Sequence, residues 1–185
     1  NSEPAKRPLM ETLYVVKIGG NIIDDAEKLK GFLNIFATIN GAKILVHGGG
    51  KLATQMAAQL GIEQQMIEGR RITDAETLKV VTMVYAGLIN KNIVAQLQAF
   101  GCNATGLSGA DGNVIVAHKR SHASIDYGFV GDVDSVDAAY LKTLLAQGIS
   151  PVISPITHDG KGQLLNTNAD TIAQETAKAL STHYN

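Results

Sequence analysis

Two short apolar segments near the start of the chain each end in a basic residue and a run of glycines. Leu13-Tyr14-Val15-Val16 leads into Lys17-Ile18-Gly19-Gly20, and Lys43-Ile44-Leu45-Val46 leads into His47-Gly48-Gly49-Gly50. Each is followed by a stretch with helical periodicity. A strand that runs into glycines and then a helix leaves backbone N–H groups uncovered at a positive helix end, where a bound anion is favoured. Two such elements suggest two anions held side by side. A donor phosphate facing an acceptor carboxylate is the simplest pair, so phosphoryl transfer is the leading reading.

The rest of the chain continues the alternation. Residues 13–18 and 43–47 read as buried strands, and between them Leu29, Phe32, Leu33, Ile35 and Phe36 fall on one helical face that Asn40-Gly41 ends. A second helix spans 51–60 and stops at Gly61. Residues 74–100 form the longest helical stretch, with Asp74 as its cap and Gly87 marking a kink or a close packing contact. Residues 103–118 read as strand, glycine turn (108–112), strand. This is a hairpin signal, continued by 128–133. A helix over 135–147, an apolar strand over 149–156, a turn at 159–162 and a loop entering a helix over 166–182 complete the order. The fold class predicted is α/β: a three-layer αβα sandwich on a mainly parallel sheet, with an inserted β-hairpin lid.

Composition removes several alternatives. With 185 residues, 45% of them hydrophobic, the chain buries a substantial core as one domain, or as one domain and part of another. A net charge of −1 and no basic stripe argue against a nucleic-acid partner. No continuous apolar run approaches the ~20 residues that span a bilayer, so no membrane partner is expected. The single cysteine, Cys102, excludes an intrachain disulfide and fits a reducing compartment; it reads as a packing residue at a helix end rather than a nucleophile. Cytoplasmic location is the default. The five histidines lack metal-ligand spacing, and no protein-bound metal is expected.

Individual motifs each have a plainer reading. Lys17, at a strand end before two glycines, can neutralise charge on a transferring phosphoryl group, or can simply reach solvent. Gly48, Gly50 and Ala53 also satisfy a dinucleotide fingerprint, with Glu68 about twenty residues on. That fingerprint normally opens a first βα unit, however, and here it falls on the second. No P-loop motif occurs. Arg70-Arg71, read as a loop before the Asp74 cap, suit a carboxylate anchor or surface ion pairs. Asn166, Asn168 and Asp170 alternate, which places three polar side chains on one side of an extended segment; capping alone explains one of them.

The ordered set Lys17-Ile18-Gly19-Gly20, Val46-His47-Gly48-Gly49-Gly50, Glu68-Gly69-Arg70-Arg71-Ile72-Thr73, Gly106-Leu107-Ser108-Gly109, Asp126-Tyr127-Gly128-Phe129-Val130-Gly131 and Asn166-Thr167-Asn168-Ala169-Asp170 resembles the amino acid kinase family. The Gly-Arg-Arg-Ile-Thr and Asn-Thr-Asn-Ala-Asp segments favour its acylglutamate-phosphorylating branch. The resemblance implies ATP-dependent phosphorylation of the side-chain carboxylate of N-acetylglutamate, or a related N-acylglutamate, in arginine biosynthesis. It implies that Lys17 stabilises the transferring group and that Gly19 and Gly20 receive the ATP phosphates. Gly49 and Gly50 would contact the acceptor, Arg71 its α-carboxylate and Asn166 its acylated nitrogen. Asp170 would organise lysines, the 108–133 hairpin would act as a lid, and Mg2+ would arrive on ATP. Other kinases of the family, for different small acceptors, and a non-catalytic acylglutamate-binding module are the alternatives.

By the same resemblance, residues 1–150 form an acylglutamate-binding and dimerisation domain, and 151–185 the start of an ATP-binding domain that is cut short. Family members continue for roughly another third of their length, with most adenine contacts and a second lysine, so weak catalysis and an exposed sheet edge are expected of these residues alone. A homodimer paired through the 74–100 region, without arginine feedback, is the expected assembly.

Overall fold

The computed structural model describes residues 10–185. Its central sheet is all parallel, in the order β1 (Leu13–Ile18), β2 (Ala42–His47), β8 (Ser150–Ile153), β5 (Ala104–Leu107). β1 and β2 are paired along their whole length, with Lys17 opposite Val46 and Ile18 opposite His47. Both glycine runs therefore leave the sheet at the same level of its carboxyl end, where α/β sheets bind ligands. The Gly48 N–H donates to the Ile18 carbonyl at 2.9 Å and extends the ladder one step past the strands.

Every residue of β2 is buried, and its alternation builds two cores. Leu45 packs with Leu29, Leu33 and Phe36 of α2 (Ala26–Thr38), Ala53 and Ala57 of α3 (Leu52–Gln59), and Ile93 and Leu97 of α5 (Asn90–Ala99). Ile44 and Val46 face the opposite side, against Leu141 of α6 (Ala138–Ala146) and Ile172 and Leu180 of α7 (Ala169–Leu180). A two-residue period on a strand covered on both faces gives the three αβα layers. Full burial of Leu33, Phe36 or Ile44 stabilises the fold by about 1.5–3 kcal/mol each. The helix α2 begins where Asp25 accepts from the N–H groups of Glu27 and Lys28, both at 3.1 Å. A one-turn helix, α1 (Gly20–Ile23), follows the first glycine pair.

Strand pairing departs from the sequence reading in three places. Residues 104–107 belong to the parallel sheet beside β8, so they do not form a hairpin with the next strand. The hairpin is β6 (Ile115–Lys119) against β7 (Val130–Val136), and it joins β9 (Ile156–His158) and β10 (Leu164–Thr167) in a small closed sheet. The apolar stretch 149–156 is two strands in two sheets, changing partners at Ser154-Pro155: the Ser154 N–H still bonds the Leu107 carbonyl, while the Pro155 carbonyl already accepts from the Thr167 N–H. Residues 70–72 are a strand, not a loop: β3 (Gln65–Ile67) and β4 (Arg70–Ile72) form a two-stranded ribbon turning at Glu68 and Gly69, with φ 51° and 75°.

The long helix runs as α4 (Ala75–Val81), a π-helical segment (Thr82–Ile89) and α5. Asp74 caps it, accepting from the Thr77 N–H at 2.7 Å. A side-chain carbon on Gly87 would meet nothing within 4 Å, so the irregularity is the π winding and not a close contact. By length and composition Ala75–Ala99 is apolar enough to cross a bilayer, although no continuous apolar run in it is that long. Here it is a core helix that buries Val80, Val81, Val84, Ile89, Ile93 and Leu97.

Candidate active site

The two glycine loops touch. A side-chain carbon on Gly20 would lie 3.1 Å from the Gly50 Cα, and one on Gly19 would lie 3.1 Å from the Lys17 Nζ. Among the described residues, the N–H groups of Gly19, Gly20, Gly49 and Gly50 have no protein acceptor. These four glycines are only half-buried, and their amides, gathered in one place, are accessible to a ligand. The Gly48 N–H and C=O, by contrast, are both taken, by Ile18 and by the His47 ring. At the cap of α3 the Asp24 carboxylate accepts the Lys51 N–H at 2.9 Å. The sequence reading put the second anion at this glycine run and helix start, where the Gly49 and Gly50 amides and the first-turn amides of α3 have no protein acceptor among the described residues.

Lys17 and Asp170 meet at this junction, Nζ to Oδ1 3.1 Å, with the lysine side chain 30% and the carboxylate 73% exposed. Asp170 is in the first turn of α7, whose start is set by Asn168 accepting from the Thr171 N–H at 3.1 Å. A cavity of about 540 Å³ opens beside the pair, lined by Arg71, Arg120, Asn166, Asn168 and Asp170 among others. Asn166, Asn168 and Asp170 do line one space, but not by alternation along an extended segment. The strand ends at Thr167, which lines the same cavity, Asn168 does the capping of the plainer reading, and Asp170 is already helical. The glycine loops adjoin this cavity and do not line it. A carbon added to Gly48 would come within 4.0 Å of the Ala169 methyl, next to Asp170.

Arg71 is held by two acceptors on neighbouring elements, Gln64 Oε1 through Nη1 and Thr54 Oγ1 at 2.7 Å through Nη2. The Asn166 amide donates to Thr73 Oγ1 at 3.3 Å. Backbone bonds lace this wall together: Thr73 N–H to Tyr127 O, Phe129 N–H to Thr73 O and Asn166 N–H to Phe129 O. Gly128 makes that lacing possible. Its φ is 75°, and a methyl there would sit 2.2 Å from the Thr73 carbonyl oxygen.

Beneath the second loop lies His47, which the sequence reading took as the head of the glycine run without giving its side chain a role. His47 is fully buried; its Nδ1 is 2.8 Å from the Gly48 carbonyl, and its Nε2 is 3.1 Å from the Asn90 amide nitrogen. Burial pushes the His47 pKa from 6.5 down to about 4, against the raising effect of the Gly48 carbonyl. The neutral ring has one tautomer that satisfies both neighbours: Nδ1–H donates to Gly48 O and Nε2 accepts from Asn90. Tyr85 stacks on the same loop so closely that a methyl on Gly49 would fall 1.9 Å from its ring. Burial raises the Tyr85 pKa.

Arg120 was also missed. It lies just past the hairpin strand β6, in a polar Lys-Arg-Ser-His run to which the sequence reading gave no role. In the structure it forms a fork onto Asp132, Nη2 to Oδ1 2.8 Å, and lines the cavity opposite Arg71. That hydrogen bond raises its already high pKa. Cys102 is buried, with its sulfur 3.7 Å from Ser150 Oγ, as a packing residue would be. Glu68, the acidic residue of the dinucleotide reading, sits on the β3–β4 turn and not at the end of a parallel strand.

Comparison with known proteins identifies the family. Residues 12–183 match the model of the amino acid kinase family. The chain belongs to that family. It is 62% identical to an acetylglutamate kinase of Parabacteroides distasonis over 175 residues, covering 95% of this chain and 69% of that protein. It is 64% identical to an acetylglutamate kinase of Bacteroides thetaiotaomicron, covering 94% and 67%. Among solved structures, N-acetylglutamate synthase from Neisseria gonorrhoeae, complexed with coenzyme A and N-acetylglutamate, superposes with a TM-score of 0.77 over 92% of this chain and 40% of that one. Its 21% identity speaks to the fold alone.

Proposed function

We propose that this chain is an acetylglutamate kinase, transferring the γ-phosphoryl group of ATP to the side-chain carboxylate of N-acetylglutamate in arginine biosynthesis. The observation that carries this reading is the junction of the two loops: four uncommitted glycine amides and the Lys17 ammonium gathered at the carboxyl ends of β1 and β2. The names of relatives at 62–64% identity support the same activity.

In this reading the Gly19 and Gly20 amides and Lys17 receive the donor phosphates, and the Gly49 and Gly50 amides orient the acceptor carboxylate. The bond from the γ-phosphorus to the ADP oxygen breaks as the carboxylate oxygen bonds to phosphorus. The acceptor has an ordinary pKa of about 4.3 and is ionised at neutral pH, so no base has to remove a proton. Catalysis is then alignment and charge neutralisation. Asp170 fits this requirement as the group that fixes Lys17, not as a proton acceptor. Arg71, already held in a plane by Gln64 and Thr54, suits the α-carboxylate, and the Asn166 amide suits the acylated nitrogen region. Magnesium would be brought by the nucleotide, with no cluster of metal-ligating side chains among the described residues to hold it, and would add to the neutralisation of phosphate charge. The β6–β7 hairpin, which brings Arg120 to the cavity, serves as the lid on the acceptor side. Met83 and Leu88, 58% and 59% exposed on the long helix, support pairing of two copies through that region.

The test is ADP release with N-acetylglutamate, glutamate, aspartate and UMP in parallel, with hydroxylamine present to trap an acyl phosphate as hydroxamate. ADP and hydroxamate formed with N-acetylglutamate alone are expected. Preference for another acceptor, or ADP without hydroxamate, refutes the assignment.

A further inference from the structure

The π-helical segment does something an α-helix could not. In an α-helix, residues five apart project roughly 140° from one another. Between Tyr85 and Asn90 the winding is wider: the Asn90 N–H bonds back to the Tyr85 carbonyl, the i→i+5 bond of a π-helix. Both side chains consequently reach the same loop. The Tyr85 ring lies against Gly49, and the Asn90 amide bonds His47 Nε2 at 3.1 Å and the Val152 carbonyl at 3.1 Å. Lys91 in turn holds the Asn90 oxygen at 2.8 Å, which fixes which end of the amide faces the histidine. A methyl on Gly106 would fall 2.0 Å from that same oxygen, so it is the bare glycine of the neighbouring strand that makes room for the Asn90 amide.

The chain of contacts ends on one peptide. With Nε2 occupied by the Asn90 amide, His47 carries its proton on Nδ1 and donates it to the Gly48 carbonyl. In a trans peptide the carbonyl and the following N–H point in opposite directions. Turning the Gly48 carbonyl inward to His47 therefore turns the Gly49 N–H outward, where it has no protein acceptor. We propose that the π segment is a positioning device: Tyr85 and Asn90 grip His47-Gly48-Gly49 from one helix face and aim the Gly49 amide at the acceptor. His47, Asn90 and Tyr85 are thus positioning residues that act on substrate only through the loop.

This inference rests on the assignment of that loop to the acceptor, and the test separates the two. His47→Leu removes the donor to Gly48. His47→Asn keeps one, because an asparagine amide occupies the place of Nδ1. Tyr85→Leu removes the ring that Tyr85→Phe keeps. In the ligand-free protein, the Gly49 amide NMR resonance is expected to move in both leucine variants and to stay much nearer the parent in the two conservative ones. KM for N-acetylglutamate should rise roughly ten-fold in His47→Leu, the effect of losing one hydrogen bond to the loop, and should rise also in Tyr85→Leu, which loses the ring packed on Gly49. KM for ATP should change less than about two-fold on the same grounds, since the Gly19 loop is untouched. If the leucine variants fold with an unmoved Gly49 resonance, or lose acceptor and nucleotide binding equally, the proposal is overturned. If the resonance responds as described but N-acetylglutamate is no substrate of the parent, the positioning stands and the acceptor assignment falls.

Discussion

His47 makes stability depend on pH in a way that can be isolated. Its pKa is about 4 in the folded chain against 6.5 when unfolded, because burial disfavours the imidazolium. Between those values the unfolded state binds a proton that the folded state refuses. Stability therefore rises with pH across this window and falls as pH drops from 6.5 toward 4; below 4 both states are protonated and the effect is complete. The whole gap corresponds to about 3 kcal/mol at 1.36 kcal/mol per pH unit, and the part between pH 7 and pH 5 to about 2 kcal/mol. Against a total of about 5–15 kcal/mol for an ordinary domain, that is readily measured. The nearby Lys91 ammonium acts in the same direction as burial. Other groups also titrate in this range, so the quantity to measure is a difference. Urea unfolding of the parent and of His47→Asn at pH 7 and pH 5 should show the parent losing about 2 kcal/mol more than the variant. Equal losses in the two proteins would mean that His47 titrates in the fold as it does when unfolded, and a smaller loss in the parent that the fold holds the ring protonated; either result contradicts a buried neutral imidazole.

Lys43 is buried with its ammonium on the carbonyls of Phe36, Ala37 and Ile39, at 3.1, 3.1 and 2.6 Å, closing the end of α2. Lys43→Met should lower stability by about 1–3 kcal/mol in a thermal melt with KM values little changed; a difference below about 0.5 kcal/mol would contradict that role. Gly49→Ala puts a methyl inside the Tyr85 ring, so acceptor affinity measured by calorimetry should fall by at least roughly ten-fold, and combining it with Tyr85→Ala should recover part of the loss. Lys17→Ala should lower kcat by about 10²- to 10³-fold while acceptor affinity changes by only a few-fold. Unchanged turnover would remove Lys17 from the chemistry.

Much of this fold could be read from the residues because local signals and tertiary demands coincide. The β1 and β2 segments are apolar, short and closed by glycines, and Asp74 and Asn40-Gly41 punctuate their helices without ambiguity. Partner choice was harder. Residues 104–107 and 115–119 are both apolar and lie either side of a glycine turn, which looks like a hairpin, yet burial on both faces draws the first into the parallel sheet. The β3–β4 ribbon escaped notice because its strands are three residues each and its turn places a glutamate at positive φ. Lys17, Arg71, Asn166 and Asp170 stood out as polar groups at element ends, and three of them share one cavity. Tyr85 and Asn90 did not, since a period of 3.6 assigns them to different faces and only the π winding unites them. Arg120 did not stand out either, because its partner, Asp132, is twelve residues away on the other hairpin strand.

The arrangement of the two loops is tested most directly by a crystal structure with N-acetylglutamate and an unreactive ATP analogue bound together with magnesium. The acceptor carboxylate should lie about 3 Å from the Gly49 and Gly50 amides, with donor phosphate oxygens at similar distance from the Gly19 and Gly20 amides and Lys17 Nζ. Ligands seated elsewhere, with all four glycine amides bonded only to water, would contradict it.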